Sequence, residues 1–277
     1  WGGFSVCAQP YIMKRLLQTT FILFGALGVT ALGIDATDTL TGSQRTLLGQ
    51  LVGSSADCPA GMVAVEAVPG VRCVDRFEAA AAATCPRSTP NDRLASLENL
   101  REPGCQAESS ADREPWRFVT RDEAATLCLR ADKRLPSNAE WHQLALGTNE
   151  RSCNVASGEV AGTDTYTDCV SAIGVHDAVG NVWEWTSDDV VAGSYAGRTL
   201  PESGYVQIAD RTGLAVETGP EGRPEYELDY FWSTKDAVTA LMRGGFYGSG
   251  SDAGVYSAHA AVALDFQGTA VGFRCVR

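Results

Sequence analysis

The chain has 277 residues, room for one or two domains, with 44% apolar and 20% charged residues, the balance of a globular protein. Its formal net charge of −12 argues against a nucleic-acid binder, which needs a basic surface for phosphates. The same acidity is compatible with a cation-binding, exported protein.

The first readable feature is an address label. Met13-Lys14-Arg15 precedes the apolar run FILFGALGVTALGI, and small residues follow near Ala31. A basic start, a short apolar stretch and a small-residue cleavage site make a secretory signal peptide, with an uncleaved anchor as the alternative. The run is short and glycine-broken for a membrane span, which needs about 20 apolar residues. No cysteine closely follows it, so a lipoprotein is not expected. Residues 1–12 read as translated upstream sequence and 1–31 as upstream residues plus signal. Residues 32–57, small and polar, read as a linker.

There are nine cysteines, and Cys7 lies before the signal. The remaining eight form an even set in an exported chain, which implies disulfides. No CxxC pair is present, so neither a zinc site nor a redox dithiol motif is supported.

The domain is expected over 58–277. CPAGMVAVEAVPGVRCVDRFEA reads as two short strands around a Pro-Gly turn, with Cys58 and Cys73 placed to close it. Residues 84–115, rich in Pro, Arg, Ser and Glu, read as a loop that Cys85 and Cys105 can tie down. Thr120-Arg-Asp-Glu123 and Ser137-Asn-Ala-Glu140 are capping boxes that open two helices. Residues 151–175 carry Cys153 and Cys169 in a Gly/Thr/Asp loop. GNVWEWTSD, Gly180–Asp188, sets Glu184 between Trp183 and Trp185. Residues 189–240 show only a weak pattern and carry no assigned role. The whole reads as one loop-rich α+β domain held by disulfides.

These motifs fall in an ordered series: CVDRFEA, WRFVTRDEAATLC, ADKRLPSNAEWHQLA, GVHDAVGNVWEWTSD, MRGGFY and VGFRCVR. The series resembles the sulfatase-modifying-factor family, whose best-known members are formylglycine-generating enzymes, from about residue 58 to Arg277. The resemblance implies a compact, loop-rich relative of the C-type lectin fold. It implies a structural calcium site made by Asp177, the carbonyls of Gly180 and Val182, and Glu184, a mixture of hard oxygens that suits calcium. Hydrogen bonds from backbone N–H groups to Glu184 are the competing reading. A second calcium site would fall at Asn154 and the Val155 carbonyl. The resemblance also pairs Cys128 with Cys275; spacing then pairs Cys153–Cys169, Cys58–Cys73 and Cys85–Cys105.

The family's chemistry needs two cysteines between the RGG and GFR motifs, which bind copper(I) as soft thiolates. Here that stretch has no cysteine before Cys275, and Gly254 and His259 stand near the two positions. Copper is therefore not expected, and formylglycine generation by that route is not expected either. His142, His176 and His259 are too few and too scattered for another transition-metal site. The sulfoxide-synthase relatives of this domain need a separate histidine-bearing domain, for which there is no room.

What the segment offers instead is Tyr, Ser and Gly, the composition of adaptable binding surfaces. Its candidates are Tyr247, Asp252, Tyr256 and His259, with Trp183 lining the same surface; Ser249, Ser251, Ser257 and Asp265 lie among them. GGFYGSGSDAGVY also looks like the terminal segment of ligand-binding proteins of this fold, including variable proteins diversified by retroelements. The alternative is a plain glycine-rich loop packed on the core. The expectation is an extracytoplasmic binding or accessory module, periplasmic, secreted or at the cell surface. Its ligand would be a protein, peptide or glycan, with no nucleic acid and with membrane contact only through an uncleaved signal. The alternative function is a divergent oxidoreductase acting on a peptide or small molecule.

Overall fold

The computed structural model describes residues 1–2, 58–236 and 238–277. The signal segment, the linker at 32–57 and Cys7 lie outside the described residues. Ala56–Arg277 packs as one unit.

β1 (Met62–Ala64) and β2 (Cys73–Asp75) form the expected hairpin, antiparallel with Met62 opposite Asp75. Gly70, at φ +83, follows Pro69 in the connection, a conformation that favours glycine. β3 (Ala79–Ala81) pairs antiparallel with β4 (Ala107–Ser109).

Between β3 and β4 lies α1 (Arg93–Arg101), where the sequence reading expected only loop. Asp92 caps it by accepting the Ala95 N–H at 2.8 Å. The helix hides from pattern reading because its buried residues are Ser96 and Asn99, which leave no apolar stripe. Both are fixed by hydrogen bonds. The Ser96 hydroxyl donates to the Arg117 carbonyl and accepts from the Trp116 indole, and Asn99 bonds both backbone groups of Arg87.

α2 (Arg121–Arg130) and α3 (Asn138–Ala145) carry both predicted capping boxes complete. α2 buries Ala124, Leu127 and Cys128, and α3 buries Trp141, Leu144 and Ala145. Disulfides join Cys58–Cys73, Cys85–Cys105, Cys128–Cys275 and Cys153–Cys169. Among the described residues no helix is long and apolar enough to cross a membrane.

The main sheet comprises β5 (Trp183–Val191), β6 (Ser194–Tyr195), β7 (Arg198–Thr199), β8 (Gly204–Ala209), β9 (Ala215–Gly219), β10 (Tyr230–Ser233), β11 (Val238–Arg243), β12 (Ala258–Val262) and β13 (Val271–Gly272). Its order is β7-β6-β5-β11-β12-β10-β8-β9, with β13 beside β5. The β10–β12 and β13–β5 pairs are parallel; the other pairs are antiparallel. Residues 189–240, which the sequence leaves without a role, thus build half of the sheet. Their strands are short, and Ile208, Val216 and Val191 face solvent, so no clean alternation betrays them.

Strand alternation gives the sheet two faces, and a register shift in the β11–β12 pair brings Val262 to the face of Ala240 and Met242. Trp183 and Trp185 of β5, Ala240 and Met242 of β11 and Val262 of β12 join α2 and Phe273 in one apolar cluster. Phe231, Leu241, Ala258 and Ala260 join Val206 and Leu214 in another. A third holds α3, the 65–74 segment and Val255. The architecture is α+β, as the sequence implies.

Candidate functional site

Alternation in β5 explains the acid between two tryptophans. Trp183 and Trp185 point into one cluster, and Glu184 points to the other side of the strand. There the Arg274 Nε donates to its two oxygens at 2.9 and 2.7 Å, and Arg274 Nη2 donates as well. The Trp141 indole of α3 donates at 2.7 Å. Glu184 is 0% exposed and Arg274 1%. Burial works against the Arg274 charge, yet the adjacent Glu184 raises its pKa above the ordinary arginine value. The partners of Glu184 are thus side chains, not the backbone N–H groups of the competing reading.

The other expected calcium ligands gather nearby in a different network. Asp177, at φ +54, is buried and accepts the Asp164 N–H at 3.0 Å. Burial pushes its carboxyl up to about 6. The Gly180 N–H reaches the Gly244 carbonyl at 3.1 Å. Glu78, which sequence reading missed, accepts the Asn181 amide at 2.6 Å and the Val182 N–H at 3.3 Å. Burial first, then the charges of Asp177 and Glu184, push the Glu78 carboxyl well above the usual range. Its only sequence signal is an acid inside the apolar run of CVDRFEAAAA.

Asp177, Gly180, Val182 and Glu184 do not fit calcium as a set. The lone pairs of Glu184 are taken by a guanidinium and an indole, and the guanidinium brings a positive charge to the place where the ion's anionic ligand is needed. Among the described residues no group of three or more His, Cys, Asp or Glu has metal-holding geometry. At the second expected calcium position, the Val155 carbonyl accepts the Gly250 N–H and the buried Asn154 Oδ1 has no partner.

Thiolate-bound copper does not fit either. All eight cysteines from Cys58 to Cys275 are in disulfides. At Gly254 a Cβ would stand 1.8 Å from Asp229 Oδ1, so that position accepts no side chain.

His259 has a different setting. Across the sheet, Trp185 stands opposite Met242, Met242 opposite His259, and His259 opposite Trp232. His259 stacks on Trp232 with ring centres 5.4 Å apart and planes at 10°. Trp183 meets both rings edge-on, at 5.5 Å from Trp232 and 5.9 Å from His259. A cleft of about 480 Å³ opens here, lined by Trp183, Met242, Phe246, His259, Val262, Phe266 and the 267–271 segment. Burial brings the His259 imidazole down to about 4, so it is neutral at physiological pH. The cleft therefore has flat aromatic walls, no formal charge and one imidazole.

Of the predicted binding residues, Trp183 and His259 meet in this cleft. The other three do not join them. Tyr256 packs on His142 at 5.2 Å and Tyr226 at 4.9 Å. Tyr247 packs on Phe246 and its N–H donates to the Asn181 carbonyl. Asp252 is partly exposed, and its carbonyl accepts the Ser257 hydroxyl. Tyr256 lies in the turn before β12, and the 249–257 turns carry both it and Asp252 away from His259. Trp232, Met242, Phe246 and Phe266 line or back the cleft and were missed, because cross-strand register, which sequence does not give, brings them together.

Behind the 249–257 turns sits an acidic pair, Asp229 buried and Glu150 half-buried. The Tyr256 N–H donates to Asp229 Oδ2 at 2.6 Å, and the Val255 N–H donates to Glu150 Oε1 at 2.8 Å. Burial raises both carboxyls, Glu150 to about 7. These acids anchor the turns.

An α+β, disulfide-tied domain with a sheet-borne aromatic cleft defines the class. Residues 152–277 match the model of the family described as the sulfatase-modifying factor enzyme 1-like domain. The match covers the GNVWEW, RGG and GFRC motifs and less than half of the chain. The earlier motifs, CVDRFEA to RLPSNAEW, lie before it. No curated protein sequence matches significantly. Among solved structures, the Major Tropism Determinant P3c variant is similar at TM-score 0.45 and 19% identity, covering 79% of this chain and 53% of that one. The chain thus spans about half the length of that structure. Treponema denticola variable protein 1 is similar at TM-score 0.42 and 14% identity, with coverage of 79% and 92%. CarF is similar at TM-score 0.38 and 15% identity, with coverage of 74% and 85%.

Proposed function

We propose that this chain is an exported binding or accessory module built on a sulfatase-modifying-factor-like domain, and that its ligand seats in the Trp183–His259 cleft. One observation carries the reading: the stretch that supplies catalytic thiolates in the resembled enzymes supplies instead an uncharged aromatic cleft. A copper(I) centre needs soft ligands, and every cysteine of the domain is committed to a disulfide. Four disulfides also favour an oxidising, extracytoplasmic compartment.

Copper(I) competition tests the reading. The protein is incubated with copper(I) and a chromogenic copper(I) chelator. The expected result is that all copper stays with the chelator. Retention of one copper per chain against the chelator would overturn the proposal.

A further inference from the structure

The cleft has features that select among ligands, and this inference rests on the binding reading above. None of the residues that line it is Asp, Glu, Lys or Arg. An ion entering it would lose hydration without gaining a counter-charge, which is strongly disfavoured. The Trp183 and His259 rings stand at 87°, with centres 5.9 Å apart, and so form a right-angled corner. A flat ring in such a corner stacks offset on one wall and meets the other edge-on, the two arrangements that aromatic pairs prefer. The volume, about 480 Å³, lies within the range of small-molecule sites. Phe266, 43% exposed, stands at the rim.

His259 adds a polar mark. The Ala261 N–H reaches its Nδ1 at 3.4 Å, which leaves the proton of the neutral ring on Nε2. No hydrogen bond reaches Nε2 among the described residues, and it is not one of the buried side-chain atoms left without a partner, so it is open to an incoming molecule. The imidazole therefore presents a donor in otherwise apolar surroundings, the combination of apolar walls and a sparse polar group that fixes orientation in ligand sites.

We propose that the cleft binds an uncharged aromatic ring bearing a carbonyl-type acceptor, with the ring in the Trp183–His259 corner and the acceptor on His259 Nε2–H. The shape selects the ring, the lack of charge rejects ions, and the imidazole reads the acceptor.

A matched probe series tests this by ligand-observed NMR titration of the full chain: phenylacetamide, phenylacetate, phenethylammonium and toluene. Phenylacetamide is expected to bind at least about tenfold more tightly than either ion. His259→Phe keeps a flat ring and removes the donor; it is expected to weaken phenylacetamide about tenfold and to leave toluene within about twofold. Ala263→Trp, at an exposed position on the cleft, is expected to block all four probes and to leave the melting temperature unchanged. An ion that binds as tightly as the amide would overturn the proposal, as would an amide affinity insensitive to His259→Phe. In either case toluene binding blocked by Ala263→Trp would leave the cleft standing as a binding site. If no probe binds, the cleft is not a ligand site, and the binding reading falls with the inference.

Discussion

Glu184→Gln distinguishes a buried ion pair from a calcium site. The substitution keeps the shape and one acceptor for the Trp141 indole but removes the charge opposite Arg274, which is 1% exposed. Breaking a buried pair from one side costs about 3–5 kcal/mol, because the remaining charge is uncompensated. Two observations place this case at the lower end. The Arg274 N–H groups also donate to the carbonyls of Asp75, Arg76 and His176, and Asp177 supplies further negative charge nearby. A loss of about 3 kcal/mol in a domain of this size lowers the melting temperature by about 6–12 °C. The assay is thermal unfolding by circular dichroism with disulfides intact, in EDTA and in millimolar calcium. The wild-type midpoint is expected to be the same in both. A calcium ion held 100-fold above its Kd would instead add about 2.7 kcal/mol in the calcium buffer. A wild type that loses stability in EDTA as Glu184→Gln does, with the variant itself indifferent to calcium, would refute the ion-pair account.

Three further outcomes follow from the same geometry. Glu150→Gln mimics the protonated acid whose folded-state pKa is raised from 4.5 to about 7. A raised carboxyl penalises folding only as pH climbs from its unfolded value through its folded one, so the variant is expected to match wild type below pH 4.5 and to exceed its melting temperature above pH 7; a constant offset across pH would contradict this. Replacing Cys128 and Cys275 together by Ala opens a bridge with a sequence separation of 147, for which loop entropy gives about 5 kcal/mol, against about 3 kcal/mol for Cys58–Cys73 with a separation of 15; equal losses in chemical denaturation would count against the entropic account. Gly180→Ala forces a side chain onto a residue at φ +77 with its Cβ 2.5 Å from the Asn154 carbonyl oxygen, and is expected to cost roughly 2–5 kcal/mol in the same denaturation assay.

Much of the frame is readable from local sequence because local rules set it. The two capping boxes need only a hydroxyl and a carboxylate three residues apart, and both form. The β1–β2 hairpin needs only apolar runs around Pro69-Gly70 and a cysteine at each side. What escapes local rules is held by partners far along the chain. α1 buries Ser96 and Asn99 rather than leucines, and its hydrogen bonds go to residues 87, 116 and 117. Strands β6–β10 are short and half-exposed, so pairing rather than composition makes them strands. The site shows the same division. Trp183 and His259 could be singled out from motif and composition, but their corner with Trp232 exists only through the β10–β12 register. Arg274 as the partner of Glu184 lies 90 residues away and carries no local signal.

The central claim, a sulfatase-modifying-factor-like domain that binds rather than oxidises, is tested most directly by turnover. The protein is incubated with copper(I), oxygen and a sulfatase-type cysteine peptide, and the peptide is followed by mass spectrometry. The account predicts that the cysteine stays unchanged. Conversion to formylglycine would contradict it, and would mean that this scaffold performs the oxidation without the thiolate pair.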